Sequence, residues 1–276
     1  TIDFMMKKAR TQLINLCEDQ YDRTLGIINN TSENAAINQE LLKAFAERDR
    51  ELVAQLFSPY HKQLSANLII DNVLMQFVLP DGTVFYRAHR PDQFGDNILK
   101  NRKMLQDVVE DKQKLRGFEL GRFGYWLRVT TPVFYNGEMI GIMETGVDIS
   151  FMADRLSHLS SYPTGVLMIP TGGEWPKEAN FYSTEPELFK TIYSKTDMES
   201  GKLPFIMKRN EETFFIISSI PIIEYTQAET GSYVFAINVT DEIKWAKTYL
   251  LKSAVATIVI LLLIILIIRK GFNEMI

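Results

Sequence analysis

The sequence predicts an α+β protein with a long N-terminal helix, two small antiparallel-sheet modules in tandem and one membrane-spanning helix. Three observations support this fold class. Residues 2–57 are rich in helix formers and contain no proline and one glycine. Two stretches of alternating strand and helix patterns follow in the same order, and an uninterrupted apolar run occupies residues 249–268.

The N-terminal helix carries apolar side chains at helical spacing in two stripes, at residues 13–28 and 41–56. Between the stripes, the polar residues 29–32 leave two alternatives, a break near this point or a polar patch in one continuous helix. We assign residues 1–57 to this helix and expect it to serve in signalling.

Turn residues divide the next part of the chain into two modules, residues 58–160 and residues 161–246. The first contains Pro80-Asp81-Gly82 as a hairpin turn, a helix over about residues 97–113 and Asn136-Gly137 as a tight turn. Its remaining strands are predicted at residues 117–122, 125–135 and 138–147, and a short helix at 148–159 closes it. The second module repeats this order, with strands at residues 165–169, 203–208, 213–223 and 232–239, a Gly172-Gly173 loop, and a helix that begins near residues 183–186.

The apolar run is long enough to cross a bilayer. Seventeen of its 20 residues are hydrophobic and Lys252 is its one charge, and 20 helical residues span about 30 Å. Trp245 and Tyr249 lie where an aromatic belt is expected. Most of the chain precedes the run, so we expect residues 1–248 outside the bacterial cytoplasmic membrane and residues 269–276 at the start of a cytoplasmic part. We also expect a preceding membrane helix and a following output domain beyond this sequence.

Composition and motifs exclude several function classes. The chain has 276 residues, 46% of them hydrophobic, with a net charge of −4 and one cysteine, which excludes a disordered chain or a disulfide scaffold. Nucleotide-binding, hydrolase and metal-site motifs are absent, and the three histidines lie far apart, so we expect no enzyme activity, metal or cofactor. Residues 1–248 carry a net charge of −6, which disfavours nucleic-acid binding.

Several charged residues of the first module fall at positions where the pattern predicts burial. Arg102 lies on the apolar stripe of the predicted helix, and Arg128 and Glu144 lie on strand faces with apolar neighbours. Because an unpaired buried charge costs several kcal/mol, these residues need partners.

Two interpretations of these charges remain open. In the first, the charged groups converge on a small anionic ligand within an aromatic wall. The ligand-binding residues are then Arg87, His89, Arg102, Arg128, Tyr86, Tyr125 and Trp126. In the second, Arg102 and Arg128 pair internally and only fix the fold. The partners are then Glu119, Glu144 or Asp148.

The segments FYRAHRPDQFGDNILKNRKMLQDVV and GFELGRFGYWLRVTTPVFYNGEMIGIMETGVDI resemble the double Cache sensory domains of bacterial transmembrane receptors. The resemblance covers about 65 residues closely, and the long helix, second module and membrane helix agree in order. The matching positions are Arg87, His89, Pro91, Gly95, Asp96, Arg102, Met104, Leu105, Gly117, Glu119, Gly121, Leu127, Arg128, Pro132, Val133, Gly137, Gly141, Glu144 and Gly146.

This resemblance implies two PAS-like modules stacked on the long helix, with a ligand in the membrane-distal module, residues 58–160. It also implies a cytoplasmic kinase, chemotaxis or cyclic-di-GMP domain, none of which this sequence contains. We therefore expect the sensor portion of a bacterial receptor that binds an organic acid or amino acid, relays a conformational change across the membrane and acts as a homodimer. The alternative is a periplasmic protein-interaction module with a self-filled pocket. A closed, charge-neutralised core in the first module favours the alternative, whereas an open arginine-lined cavity favours the ligand sensor.

Overall fold

A computed structural model describes residues 2–70, 73–121, 124–168, 181–195 and 205–273. It confirms the α+β class: a long N-terminal helix precedes two five-stranded sheets, and an apolar helix follows them.

The N-terminal region consists of three helices, α1 (Ile2–Ala36), α2 (Gln39–Ala46) and α3 (Arg50–Leu68). Of the two alternatives for residues 29–32, the structure supports the polar patch, because α1 continues through them and the Ser32 hydroxyl hydrogen-bonds that of Thr131 in the first sheet at 3.1 Å. Helix α1 ends at Ala36. The Asn38 side chain caps the start of α2, and the Asp49 side chain caps the start of α3. Helical structure also extends to Leu68, beyond the predicted residue 57.

The first sheet has the strand order β2-β1-β5-β4-β3. Its strands are β1 (Leu74–Val78), β2 (Val84–Arg87), β3 (Leu115–Gly121), β4 (Gly124–Tyr135) and β5 (Glu138–Asp148). Both predicted hairpin turns are confirmed. Leu79 accepts a hydrogen bond from Gly82 across the first turn, and Asn136 and Gly137 both adopt positive φ in the second.

The helix predicted over residues 97–113 is shorter than expected. A 3₁₀ turn (Leu99–Asn101) and α4 (Lys103–Asp111) replace it, with Arg102 between them in a non-helical conformation. Arg102 is nevertheless 5% exposed, so its burial was predicted correctly from a helix position that it does not occupy. A further helix, α5 (Ile149–Ser160), follows the sheet as expected.

The two faces of the first sheet differ in chemistry. One packs on α1–α3: Thr145 donates to the Ile28 carbonyl, and the Phe45 ring lies against those of Phe77 and Phe85. Strand alternation directs Gln76, Arg128 and Glu144 to the opposite face. Charged residues therefore collect on the face that carries α4.

The second sheet has the order β7-β6-β10-β9-β8. Its elements are β6 (Thr164–Met168), β7 (Phe181–Ser183), α6 (Pro186–Lys195), β8 (Phe205–Arg209), β9 (Glu212–Ile223) and β10 (Glu229–Asn238). Strand β7 was not predicted, and the Gly172-Gly173 loop lies outside the described residues.

The last helix, α7 (Thr240–Asn273), contains the predicted membrane span. Within the part of the chain that the structure describes, residues 240–270 form the one helix long and apolar enough to cross a membrane, and none of its most apolar stretch is buried. Contacts divide the chain into two compact units, residues 1–201 with 218–235 and residues 202–217 with 236–276. The module boundaries near residues 160 and 246 remain predictions.

Candidate functional site

Four charged side chains meet on the α4 face of the first sheet: Arg102, Glu119, Arg128 and Glu144, here called the charged cluster. Each is at most 6% exposed. Arg102 forms ion pairs with both carboxylates, and its Nη2 lies 2.6 Å from Glu119 Oε2. The internal pairing that the second interpretation expected for Arg102 is therefore present.

Strand register brings the cluster together. Thr130 of β4 faces Glu144 of β5, and Glu144 in turn faces Gln76 of β1. Gly121 and Gly146 leave space for Arg128, since a Cβ at Gly121 would lie 2.6 Å from its Nη2. A side chain at Gly121 would thus force the arginine to move.

Both carboxylates also bind neutral groups. Glu119 Oε1 accepts a hydrogen bond of 2.7 Å from the Met104 backbone N–H, in the first turn of α4. Glu144 accepts from Gln76 Nε2 at 2.5 Å and from the Thr130 hydroxyl at 3.3 Å. The cluster consequently joins four strands and the start of α4 through buried, charge-assisted bonds.

Two arginines and two glutamates make the cluster neutral in formal charge. Burial raises the pKa of Glu144, but Arg102 and Arg128 outweigh it and hold that pKa at about 2. Burial lowers the pKa of Arg102, whereas Glu144 and Glu119 raise it above its ordinary value. Burial, together with Arg102, lowers the pKa of Arg128 to about 10. Glu144, Arg102 and Arg128 are therefore all charged at neutral pH.

Arg128 is the least satisfied member of the cluster. Its Nε lies 3.7 Å from Glu119 Oε2 and its Nη1 lies 3.8 Å from Glu144 Oε1. Both nitrogens are buried, and neither makes a hydrogen bond within the described residues. The guanidinium also lies 5.5 Å from the centre of the Trp126 ring, in cation–π range. These distances give ion pairing without hydrogen bonds.

Arg87 lies beside the cluster and is connected to it through Gln76. It donates to Gln76 Oε1 at 3.2 Å and to both oxygens of Asp96 at 2.7 and 2.9 Å. A further bond of 2.8 Å goes to the Gln93 carbonyl. Sequence reasoning did not identify Gln76 and Asp96 as functional candidates. A polar residue within the apolar segment NVLMQFVL was the available signal for Gln76.

Three predicted site residues make their contacts elsewhere. His89 Nδ1 lies 3.2 Å from the Met75 carbonyl, and burial lowers its pKa to about 4. Tyr86 packs edge-on against Phe57 of α3. Asp148 caps α5 by accepting from the Phe151 N–H at 3.0 Å. The expectation that His89 and Tyr86 converge with the arginines is thus not met, because His89 lies beyond the end of β2 and Tyr86 faces away from Arg87 along that strand.

The two remaining aromatic candidates differ in position. Trp126 lies beside Arg128, as noted above. Tyr125 is buried and alternates with Trp126 along β4, so it lies with Leu127 on the face of the sheet that packs on α1–α3.

Within the described residues, no group of three or more His, Cys, Asp or Glu side chains could hold a metal ion.

Comparison with known proteins identifies the domain type. The family described as "double sensory domain of two-component sensor kinase" matches residues 6–243. This match confirms the resemblance to double Cache domains stated above. No curated protein matches the chain significantly.

Solved structures share this fold. The extracellular domain of a protein assigned as histidine kinase vpHK1S-Z8 is 15% identical, with 89% of this chain and 96% of that chain covered and a TM-score of 0.53. A domain of a protein assigned to the sensory box/GGDEF family of Vibrio parahaemolyticus is also 15% identical, with 84% and 95% covered and a TM-score of 0.51. At these identities the likeness shows the fold alone.

Proposed function

The chain belongs to the double Cache family of sensory domains, and on this premise we propose that it is the extracytoplasmic sensor portion of a bacterial transmembrane receptor. In this proposal residues 1–248 lie outside the inner membrane and α7 crosses it. A change in the first module passes to α7 as a change in conformation. We retain the prediction of a homodimer, because long helices that flank a membrane commonly need a partner.

One observation supports a small-molecule ligand: two nitrogens of Arg128, Nε and Nη1, are buried and make no hydrogen bond within the described residues. A buried donor without a partner costs about 1–3 kcal/mol. Ligand oxygens that accept from Nε and from Nη1 would recover this energy. These two nitrogens donate from different edges of the guanidinium, so each needs its own acceptor, and a carboxylate oxygen can supply one charge-assisted bond.

Charge balance selects among the ligands that carry a carboxylate. The cluster has two cations and two anions, and Asp96 neutralises Arg87. A simple organic acid would leave one uncompensated negative charge in this buried region, which is costly. A zwitterionic amino acid adds no net charge. We therefore favour an amino acid over an organic acid, which narrows the expectation of an anionic ligand.

The same charge balance also favours a second candidate function, a protein-interaction module without a small-molecule ligand. The cluster is closed, with each member at most 6% exposed, and its charges cancel. These are the features expected of a protein-interaction module whose pocket is filled by its own side chains. The two candidates differ in whether any small molecule contacts Arg128.

Binding to the full chain in lipid nanodiscs distinguishes them. We would measure thermal stabilisation and calorimetric binding with free L-amino acids, and with mono- and dicarboxylates as comparison. We expect an amino acid to bind and Arg128→Lys to weaken it by about 10- to 100-fold, because a charge-assisted hydrogen bond contributes about 1.5–3 kcal/mol.

Arg116→Lys is the matched control. Arg116 lies on neighbouring β3 but is exposed, so this variant should bind like the unsubstituted chain. If no compound binds, or if Arg128→Lys and Arg116→Lys bind equally well, the ligand proposal is wrong and the interaction module becomes the better explanation.

A further inference from the structure

The turn between β9 and β10, residues 224–228, docks on the first sheet. Residues 218–235 belong to the same compact unit as β3 and α4. Glu224 forms a parallel bridge with Phe118 of β3, and the Tyr225 N–H donates to the Phe118 carbonyl at 3.1 Å. The Tyr225 hydroxyl donates to Asp107 Oδ2 of α4 at 2.9 Å. One turn thus holds both a strand and a helix of the first module.

The backbone of β3 is shaped for this contact. Gly117 has φ +138°, and a Cβ there would lie 3.0 Å from the Tyr225 Cβ and 3.1 Å from its Cα. A side chain would therefore be strained and would push the turn away. The turn itself is closed by a 2.8 Å bond from the Glu224 N–H to the Ala228 carbonyl. Close approach at Gly117 and a closed turn together make a defined docking contact.

The two elements that the turn holds are those that close the charged cluster. Phe118 immediately precedes Glu119, whose carboxylate binds Arg102 and the Met104 N–H. Asp107 lies one turn further along α4. A change at Glu119 or Arg102 therefore acts on β3 and α4, and both contact Tyr225.

On its other side the turn is continuous with the membrane helix. Strand β10 begins at Glu229 and ends at Asn238, and α7 begins at Thr240. One residue, Val239, separates them. A displacement of the turn can thus be transmitted through β10 to α7 over a short stretch of backbone.

We propose that the Glu224–Tyr225 contact is the relay by which the state of the charged cluster reaches β10 and α7. This inference rests on the proposed sensor function and names its internal regulation. A rearrangement of α4 or β3 displaces Tyr225, and the displacement is carried by β10 to the start of α7.

Hydrogen exchange on the full chain in nanodiscs tests the relay without any ligand. Glu119→Gln keeps the size of the side chain but removes its charge, so it loosens the start of α4. We expect exchange to rise about fivefold at residues 103–111, and also at 224–238. In the Tyr225→Phe background, which lacks the bond to Asp107 but keeps the backbone bond to Phe118, the rise at residues 224–238 should be clearly smaller.

Tyr182→Phe is the matched control, because it removes an equivalent bond of 2.7 Å to Asp154 that involves neither α4 nor the turn. It should leave propagation to residues 224–238 intact. Glu144→Gln serves as a second perturbation of the cluster. Equal propagation with and without the Tyr225 hydroxyl overturns the relay, as does a failure of both charge variants to change exchange at 224–238. Ligand binding is measured separately, so either proposal can fail alone.

Discussion

Replacing Glu144 by glutamine removes one charge from the centre of the cluster with almost no change in shape. Glu144 is fully buried and ion-paired with Arg102 and Arg128. In the variant, two buried cations face the carboxylate of Glu119 alone. We expect a large loss of stability, because the substitution leaves an uncompensated buried charge.

Two independent arguments give a similar size for this loss of stability. The arginines hold the pKa of Glu144 at about 2, against an ordinary value of 4.5, which corresponds to about 3 kcal/mol of stabilisation of the charged form. Removing one partner of a buried ion pair typically costs about 3–5 kcal/mol. We therefore expect the free energy of unfolding to fall by about 3–5 kcal/mol.

The pH dependence has a definite sign. The pKa of Glu144 is lower in the folded state than in the unfolded state, so its stabilisation is complete above pH 4.5 and is lost as pH falls towards about 2. The difference in stability between the unsubstituted chain and Glu144→Gln should shrink over this interval.

Urea denaturation of the detergent-solubilised chain, followed by far-ultraviolet circular dichroism, measures the effect. Glu33→Gln is the control, because Glu33 pairs with Lys114 at an exposed site and should cost less than about 1 kcal/mol. Adding Arg128→Met to Glu144→Gln restores charge balance and should recover part of the loss. A cost equal to that of Glu33→Gln, or no recovery in the double variant, would refute the electrostatic account.

Three further predictions use the same denaturation assay. Gly141→Ala should lower the free energy of unfolding by about 1–3 kcal/mol, because its Cβ would lie 2.5 Å from the Phe45 ring. Gly26→Ala, which meets open space within α1, should instead raise it by about 0.5–1 kcal/mol. Equal effects of the two variants would contradict the packing argument. Burial lowers the pKa of His89 to about 4, so the chain should lose stability as pH falls from 6.5 towards 4. The His89→Gln variant should lose less stability over this interval. If the stability of both chains falls equally with pH, the role of His89 is refuted. Asn38→Ala should cost about 1 kcal/mol by removing the cap of α2, and an unchanged midpoint would show that the cap is dispensable.

Sequence patterns over a few neighbouring residues predicted much of the fold. The hairpin turns at residues 80–82 and 136–137 follow from residues that accept turn dihedrals. Burial of Arg128 and Glu144 follows from strand alternation. Local pattern could not decide whether residues 29–32 break the helix, because Ser32 is satisfied by Thr131, which is 99 residues away.

The candidate site was predicted in part. The sequence indicated that Arg102, Arg128 and Glu144 are buried and need partners, but it left ligand and carboxylate partners equally open. It also grouped His89 with these arginines, although His89 contacts the backbone of β1. Tyr225 was not identified at all, because its partner Asp107 lies 118 residues away along the chain.

The sequence by itself determined the α+β class, the apolar run of α7 and the burial of Arg128 and Glu144, because these depend on composition and on spacing over a few residues. Only the tertiary structure decided which groups pair: Arg102 with Glu119 and Glu144, Arg87 with Asp96, and Tyr225 with Asp107. Strand register makes these choices, since a shift by one residue would turn every side chain of a strand to the other face. That register is set by contacts between distant segments, which no local pattern records.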